Sequence, residues 1–192
     1  MFQPSKVVKR LFYANIIIFI LGIILESLRF PFFQLFALYP QKGFMIHQLI
    51  THQFLHGGVM HILFNMLALV SVGPQVEDWF GSRKFTMFYL ISGVCAALFH
   101  IALTNASVPM VGASGAIFGV LLMFALISPN QKLYFFGLIG MKSKWMIGIL
   151  FGIEVYMGFF TSGGSVAHLC HVGGGITGIL LFYIDKLLIR KR

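Results

Sequence analysis

Six largely apolar runs punctuate this chain, at about residues 11–25, 59–72, 85–104, 115–127, 145–160 and 172–184. A helix crosses the hydrocarbon core of a bilayer with about 20 apolar residues, and several of these runs are shorter. Short spans must be packed among neighbours or stop below the membrane surface. The composition agrees with a membrane solvent. Of the 192 residues, 58% are hydrophobic and only 10% are charged, against about 25% charged in a soluble domain. So few charges cannot coat a water-facing globule, which excludes both an ordinary soluble domain and a disordered chain. The expected fold class is an all-α membrane protein, a six-helix bundle forming one domain over residues 1–192.

The cations sort themselves between the two faces of such a bundle. Lys6, Lys9 and Arg10 precede the first run, and Arg83 and Lys84 separate the second from the third. Lys132, Lys142 and Lys144 separate the fourth from the fifth, and Lys186, Arg190, Lys191 and Arg192 follow the sixth. Twelve of the 14 Lys and Arg thus share one face, leaving Arg29 and Lys42 on the other. The positive-inside rule puts both termini in the cytosol. The formal charge of +9 is then a topology signal and not a nucleic-acid footprint. The basic, then apolar, start lacks a small-residue cleavage site and reads as a retained helix. Residues 31–58, long and rich in Phe, Leu and Ile, are expected along the outer interface. The apolar segment 133–141 is expected on the cytosolic one. Cys95 and Cys170 lie in apolar stretches and offer neither a disulfide framework nor a metal-binding pair.

Polar groups inside spans are costly and mark function or mutual satisfaction. His56, His61 and Asn65 lie in a stretch that also holds His52. His61 and Asn65, four apart, share a helix face. These residues read as catalytic, as an interhelical polar set, or as ligands of a metal or haem. Gly112-Ala113-Ser114-Gly115 opens the fourth helix. A helix over residues 114–128 is about 22 Å long, short of the ~30 Å hydrocarbon core. With its cytosolic end at the interface, Ser114 is submerged below the outer surface. It also sits at a helix N-terminus, where free N–H groups favour developing negative charge.

His168 and His171 open the sixth helix. From His171 to Asp185 and from Ser114 to Ser128 the separation is 14 residues, so the two side chains share a depth. From His61 to Pro74 it is 13. Gly115 and Gly119, and Gly174 and Gly178, are each four apart, a spacing that lets membrane helices approach closely. Packing by these faces brings Ser114 and His171 together. A serine and a histidine at one depth supply a nucleophile and a general base. The Ser114 N–H, His61 and Asn65 can face an oxyanion. No carboxylate lies in the external segments to complete a triad, so a Ser–His dyad is the economical reading, with the imidazole packed against Phe118. Glu77, at the cytosolic end of the second helix, is expected to be structural, accepting hydrogen bonds from its turn. Glu26, Glu154 and His100 carry no assigned role.

Taken in order, these motifs resemble the rhomboid intramembrane serine proteases of the six-helix bacterial type, over about residues 51–185. The resemblance rests on His56, His61 and Asn65; Gly73, Glu77 and Gly81; Gly112 to Gly115; and His171, Gly174 and Gly178. It implies Ser114 as nucleophile, His171 as base with His168 as fallback, and an oxyanion site of His61, Asn65 and the Ser114 N–H. His56, Gly112, Gly115, Phe118, Gly174, Gly178 and Glu77 support them. The family often has Trp-Arg in the first external loop, where this chain has His47-Gln48, and Tyr where it has Phe118. The implied substrates are single-pass membrane proteins, cut near the outer end of their span after local unwinding, with access from lipid between the second and fifth helices. No cofactor, metal or nucleic acid is expected. A bacterial inner membrane is the expected location. A catalytically silent rhomboid-like binder of membrane segments and a His-rich metal or haem protein are the rival readings.

Overall fold

The computed structural model describes residues 5–40, 43–104, 109–135, 138–161 and 167–189. Lys42 and Arg190 to Arg192, assigned above to opposite faces, lie outside the described residues. Six long helices dominate: α1 (Lys6–Ser27), α4 (Val59–Phe80), α5 (Ser82–Leu103), α6 (Ser114–Ile127), α7 (Ser143–Phe160) and α8 (Ala167–Ile189). Two short helices, α2 (Phe32–Phe36) and α3 (Gln48–Thr51), lie between α1 and α4, and a 3-10 turn follows at His52–Phe54. Helices α1, α4, α5 and α7 are long and apolar enough to cross a membrane, whereas α6 has 14 residues. The protein is an all-α membrane bundle. Large apolar side chains such as Ile17, Leu67, Ile153 and Leu180 face outward, as a lipid solvent permits.

The short α6 occupies the centre. Eight of its 14 residues are buried, and it packs against α4, α5, α7 and α8. Its brevity is tolerable because protein, not lipid, satisfies its ends. The second apolar run covers about residues 59–72, and Pro74 lies just beyond it. Helix α4 continues through Pro74 to Phe80, giving up the hydrogen bond that a residue-74 N–H would make to Val70. The level of His61 is therefore set by its neighbours and not by a count from Pro74. A single residue, Gly81, then joins α4 to α5. Its φ of +77° is a left-handed conformation that suits glycine, and its N–H closes on the Glu77 carbonyl at 2.7 Å.

Of residues 133–141, expected along the cytosolic interface, 133–135 and 139–141 lie in a hairpin. Strands β1 (Lys132–Phe135) and β2 (Ile139–Lys142) pair antiparallel, with Lys132 opposite Lys142 and Phe135 opposite Ile139. The hairpin satisfies backbone groups that would otherwise need water near the bilayer. The first loop also does more than lie on an interface. Its Leu38, Gln48, His52 and Gln53 are buried, and Gln53 donates to the carbonyls of Leu49 and Leu90 at 3.0 and 3.4 Å.

Glu77 is structural, although its backbone donors come from another helix. It accepts the N–H groups of Val7 and Val8 at 3.0–3.1 Å, the Ser5 hydroxyl, and the Ser82 hydroxyl at 2.6 Å. One buried carboxylate thereby caps the start of α1, whose first N–H groups have no intrahelical partner, and ties it to the α4–α5 turn. Lys84 and Asp185, at 2.7 Å, join α5 to α8. We expect Glu77→Ala to cost at least about 2 kcal/mol, since it strands buried donors. A clear fall in the thermal unfolding midpoint in detergent checks this.

Candidate active site

The site begins where the chain enters α6. Residue 112 has φ +127°, which favours glycine. A Cβ there would lie 2.8 Å from Cε1 and Nε2 of His61 and 3.6 Å from Ser114 Oγ. The His61 ring and the Ser114 hydroxyl therefore border one small space that only a glycine leaves open. The first loop pins this segment. Gly112 N–H donates to the His52 carbonyl at 2.9 Å, and Leu38 and Met110 exchange two backbone hydrogen bonds at 3.0 and 2.8 Å. Ser114 is the first residue of α6, and the Ile117 N–H to Ala113 carbonyl bond, at 3.0 Å, closes the first turn. The N–H groups of Ser114, Gly115 and Ala116 precede that bond and have no intrahelical acceptor.

Helix α8 reaches the same place because α6 and α8 touch through glycine. A Cβ on Gly174 would sit 1.9 Å from the Gly115 carbonyl oxygen, and one on Gly178 would sit 2.4 Å from that of Gly119. A Cβ on Gly115 would lie 2.9 Å from Cys170 Sγ. Ser114 and His171 are the chain neighbours of Gly115 and Cys170, so this contact draws them to one end of the helix pair. The His171 ring stacks on Phe118, with centroids 4.4 Å apart and planes 13° apart.

The surroundings of His171 also correct the expectation that no carboxylate would reach it. Glu154, from the middle of α7, places Oε2 2.9 Å from His171 Nδ1 and 2.6 Å from His168 Nδ1. With an ionised carboxylate as acceptor, both Nδ1 atoms carry the proton. His171 Nε2 is then the lone-pair nitrogen. It is buried and has no hydrogen-bond partner. Among the described residues no hydrogen bond links it to Ser114 Oγ. Ligand-free active sites often hold such pairs apart until substrate binds. The sequence did carry a signal for Glu154, an acidic residue inside an apolar run. What it lacked was the rotation of α7 that aims the side chain at α8.

The other singled-out residues gather nearby. The His56 and His61 rings meet edge to face at 5.1 Å, and Gly57 N–H approaches His61 Nδ1 at 3.4 Å. Asn65 is nearly buried and donates to the His61 carbonyl at 3.0 Å. Its side chain is thus fixed on the helix face that carries His61. His52 lies apart from this group, donating from Nδ1 to the Gln48 carbonyl at 2.7 Å. Its role is to hold the first loop, whose carbonyl in turn holds Gly112. The donor atoms of Glu154, His168 and His171 lie within 4.8 Å of one another. Two imidazoles and a carboxylate suit a divalent transition metal, but such an ion would have to displace both Nδ1 protons.

Comparison with known proteins gives this arrangement a lineage. The Rhomboid domain model matches residues 43–187. The chain belongs to the rhomboid family. It is similar to RHOMBOID-like protein 4 of Arabidopsis thaliana, 35% identical over 150 residues, covering 78% of this chain and 36% of the relative. It is also similar to rhomboid protease GluP of Bacillus subtilis, 34% identical over 131 residues, covering 68% of this chain and 24% of the relative. Rhomboid protein 1, mitochondrial, of Saccharomyces cerevisiae matches 99% of this chain at 29% identity, and 56% of its own length is covered. The chain thus spans between a quarter and rather more than half of these curated relatives. Family membership and apolar helices make it an integral membrane protein.

Two outcomes are expected from this geometry. Gly112→Ala should remove reactivity of Ser114 toward a serine-directed probe, because the new methyl fills the space between His61 and Ser114 Oγ. Probe labelling of the folded variant measures it. Burial also pushes His52, in the first loop, down to about 4, from about 6.5 when unfolded. The unfolded chain then binds more protons than the folded one between these values, so stability falls as pH drops below about 6.5. Unfolding midpoints in detergent between about pH 7 and pH 5 check the sign.

Proposed function

We propose that this protein is an intramembrane serine endopeptidase that cleaves single-pass membrane proteins near the outer end of their span. In this reading Ser114 is the nucleophile and His171 the general base. Ser114 Oγ attacks the scissile carbonyl carbon, and its proton passes to His171 Nε2. The oxyanion formed is stabilised by the Ser114 N–H with help from His61 and Asn65. Collapse breaks the C–N bond, and the departing amine takes the proton from His171. Water, deprotonated by the same nitrogen, then hydrolyses the acyl-enzyme and the proton returns to Ser114 Oγ.

The observation that carries the reading is the state of His171. Its ring is clamped on Phe118, its Nδ1 is engaged, and its Nε2 is buried without a partner, at the helix end that presents Ser114. The preference over His168 follows from the ring stack, which His171 alone makes on α6, and from the glycines three and seven residues later. Helix α7 buries only Ser143 and Ile147, both in its first two turns. Its other half is thus the least confined wall of the site and the natural side for a substrate segment to approach from lipid. A substrate helix must unwind there, since a hydrogen-bonded helical carbonyl is not available for attack. The remaining assignments are a bacterial inner membrane and a cytosolic location for both termini, the latter supported by the cation distribution.

A fluorophosphonate probe should label the wild type and fail to label Ser114→Ala; equal labelling of both would remove Ser114 from the mechanism. Purified protein should cleave a model single-pass substrate. His171→Ala should abolish that cleavage, and His168→Ala should retain a measurable part of it. Asn65→Ala should raise the barrier by roughly 2.7–4 kcal/mol if Asn65 is an oxyanion donor.

A further inference from the structure

We propose that Glu154 is a positioning residue for His171, turning the proposed pair into a Ser114–His171–Glu154 triad assembled from three membrane helices. The inference rests on the assignment of Ser114 and His171 made above. A carboxylate in the apolar stretch of α7 is expensive, and here it is not spent on a cation. Among the described residues Lys84 is the cation paired with an acid, Asp185, at the other end of the bundle. Glu154 instead meets two imidazole N–H groups with one oxygen, at 2.9 Å from His171 and 2.6 Å from His168.

Three consequences follow for His171. Its proton is fixed on Nδ1, which leaves the Nε2 lone pair available to take a proton from Ser114. Its ring plane is fixed twice, by the Phe118 stack on one side and by the in-plane hydrogen bond at the edge. The positive charge that develops when Nε2 is protonated lies close to the carboxylate. In a low-dielectric site that attraction lowers the barrier. Glu154 does not take a proton in this scheme; it orients the base and offsets the charge. His168 crosses His171 edge to face at 6.5 Å. By sharing the same oxygen it fixes the carboxylate itself. Among the described residues His61 on α4 also lies within electrostatic reach of His171, and a positive charge on one opposes a positive charge on the other.

The alternative is that Glu154 merely latches α7 to α8. The rate of fluorophosphonate labelling separates the two, since a small probe needs an activated Ser114 but no opening of a path for a transmembrane segment. Glu154→Gln keeps the shape and an acceptor but removes the charge, and Glu154→Ala removes both. Labelling is expected to slow at least tenfold in Gln and further in Ala, with unfolding midpoints reported for each. With a transmembrane substrate kcat should fall while KM stays within about twofold. A latch would instead leave labelling at the wild-type rate and move KM, and that result overturns the proposal. Full labelling of a folded Glu154→Gln would overturn it even if Glu154→Ala fails to fold. Labelling of Ser114→Ala would sink the underlying nucleophile assignment instead, so the two failures are distinguishable. A chelator that slows wild-type labelling to the rate of Glu154→Gln would mark the cluster as a metal site, and it too counts against the proposal.

Discussion

The contact between α6 and α8 is the constraint on which the site depends. Inside a bilayer apolar side chains gain little by leaving lipid, so helices associate through packing. Here the packing partners are backbone atoms. Gly174 faces the Gly115 carbonyl and Gly178 faces that of Gly119, with no room for a methyl at either place. Two helices at this separation bring their N-terminal ends together, and those ends carry Ser114 and His171. Replacing either glycine pair by larger residues would move the histidine away from the serine before it changed any chemical group.

Around that contact the protein anchors each end by different means. At one end Glu77 gathers donors from α1 and the α4–α5 turn, and Lys84 holds Asp185. At the other end the first loop reaches over α5 and holds the segment before α6 through His52 and Leu38. The short α6 is thereby suspended between two polar clamps. Just before its N-terminus, Met110 and Gly112 are held by the backbone of a folded loop.

The polar groups near Ser114 are arranged so that each restrains the next. Asn65 is fixed to the backbone of His61, His61 borders the space left by Gly112, and Glu154 joins His168 to His171. Such a network is costly to bury and is tolerated only when nearly every member has a partner. Among the described residues, the members without one are both ring nitrogens of His56 and His171 Nε2, and the last is where the proposed chemistry needs a free lone pair.

Much of this was legible in the residues. Apolar run length and the scarcity of charge dictated a helical membrane bundle, because lipid leaves no other way to satisfy a single-chain backbone of this pattern. Motif order identified the family. The Gly-xxx-Gly spacings on two helices were enough to anticipate their contact. Three features were not legible, and each is a matter of rotation or reach. Whether α4 stops at Pro74 depends on Glu77 and α1 packing against its last turns. The β1–β2 hairpin depends on a register that an apolar segment does not announce. The aim of Glu154 depends on the azimuth of α7, which a nearly uniform apolar surface cannot encode by periodicity. Sequence determined the solvent, the elements and the chemical groups, since those follow from composition and local spacing. Tertiary structure alone decided which carboxylate meets which imidazole, since that is set by how helices turn and close on one another.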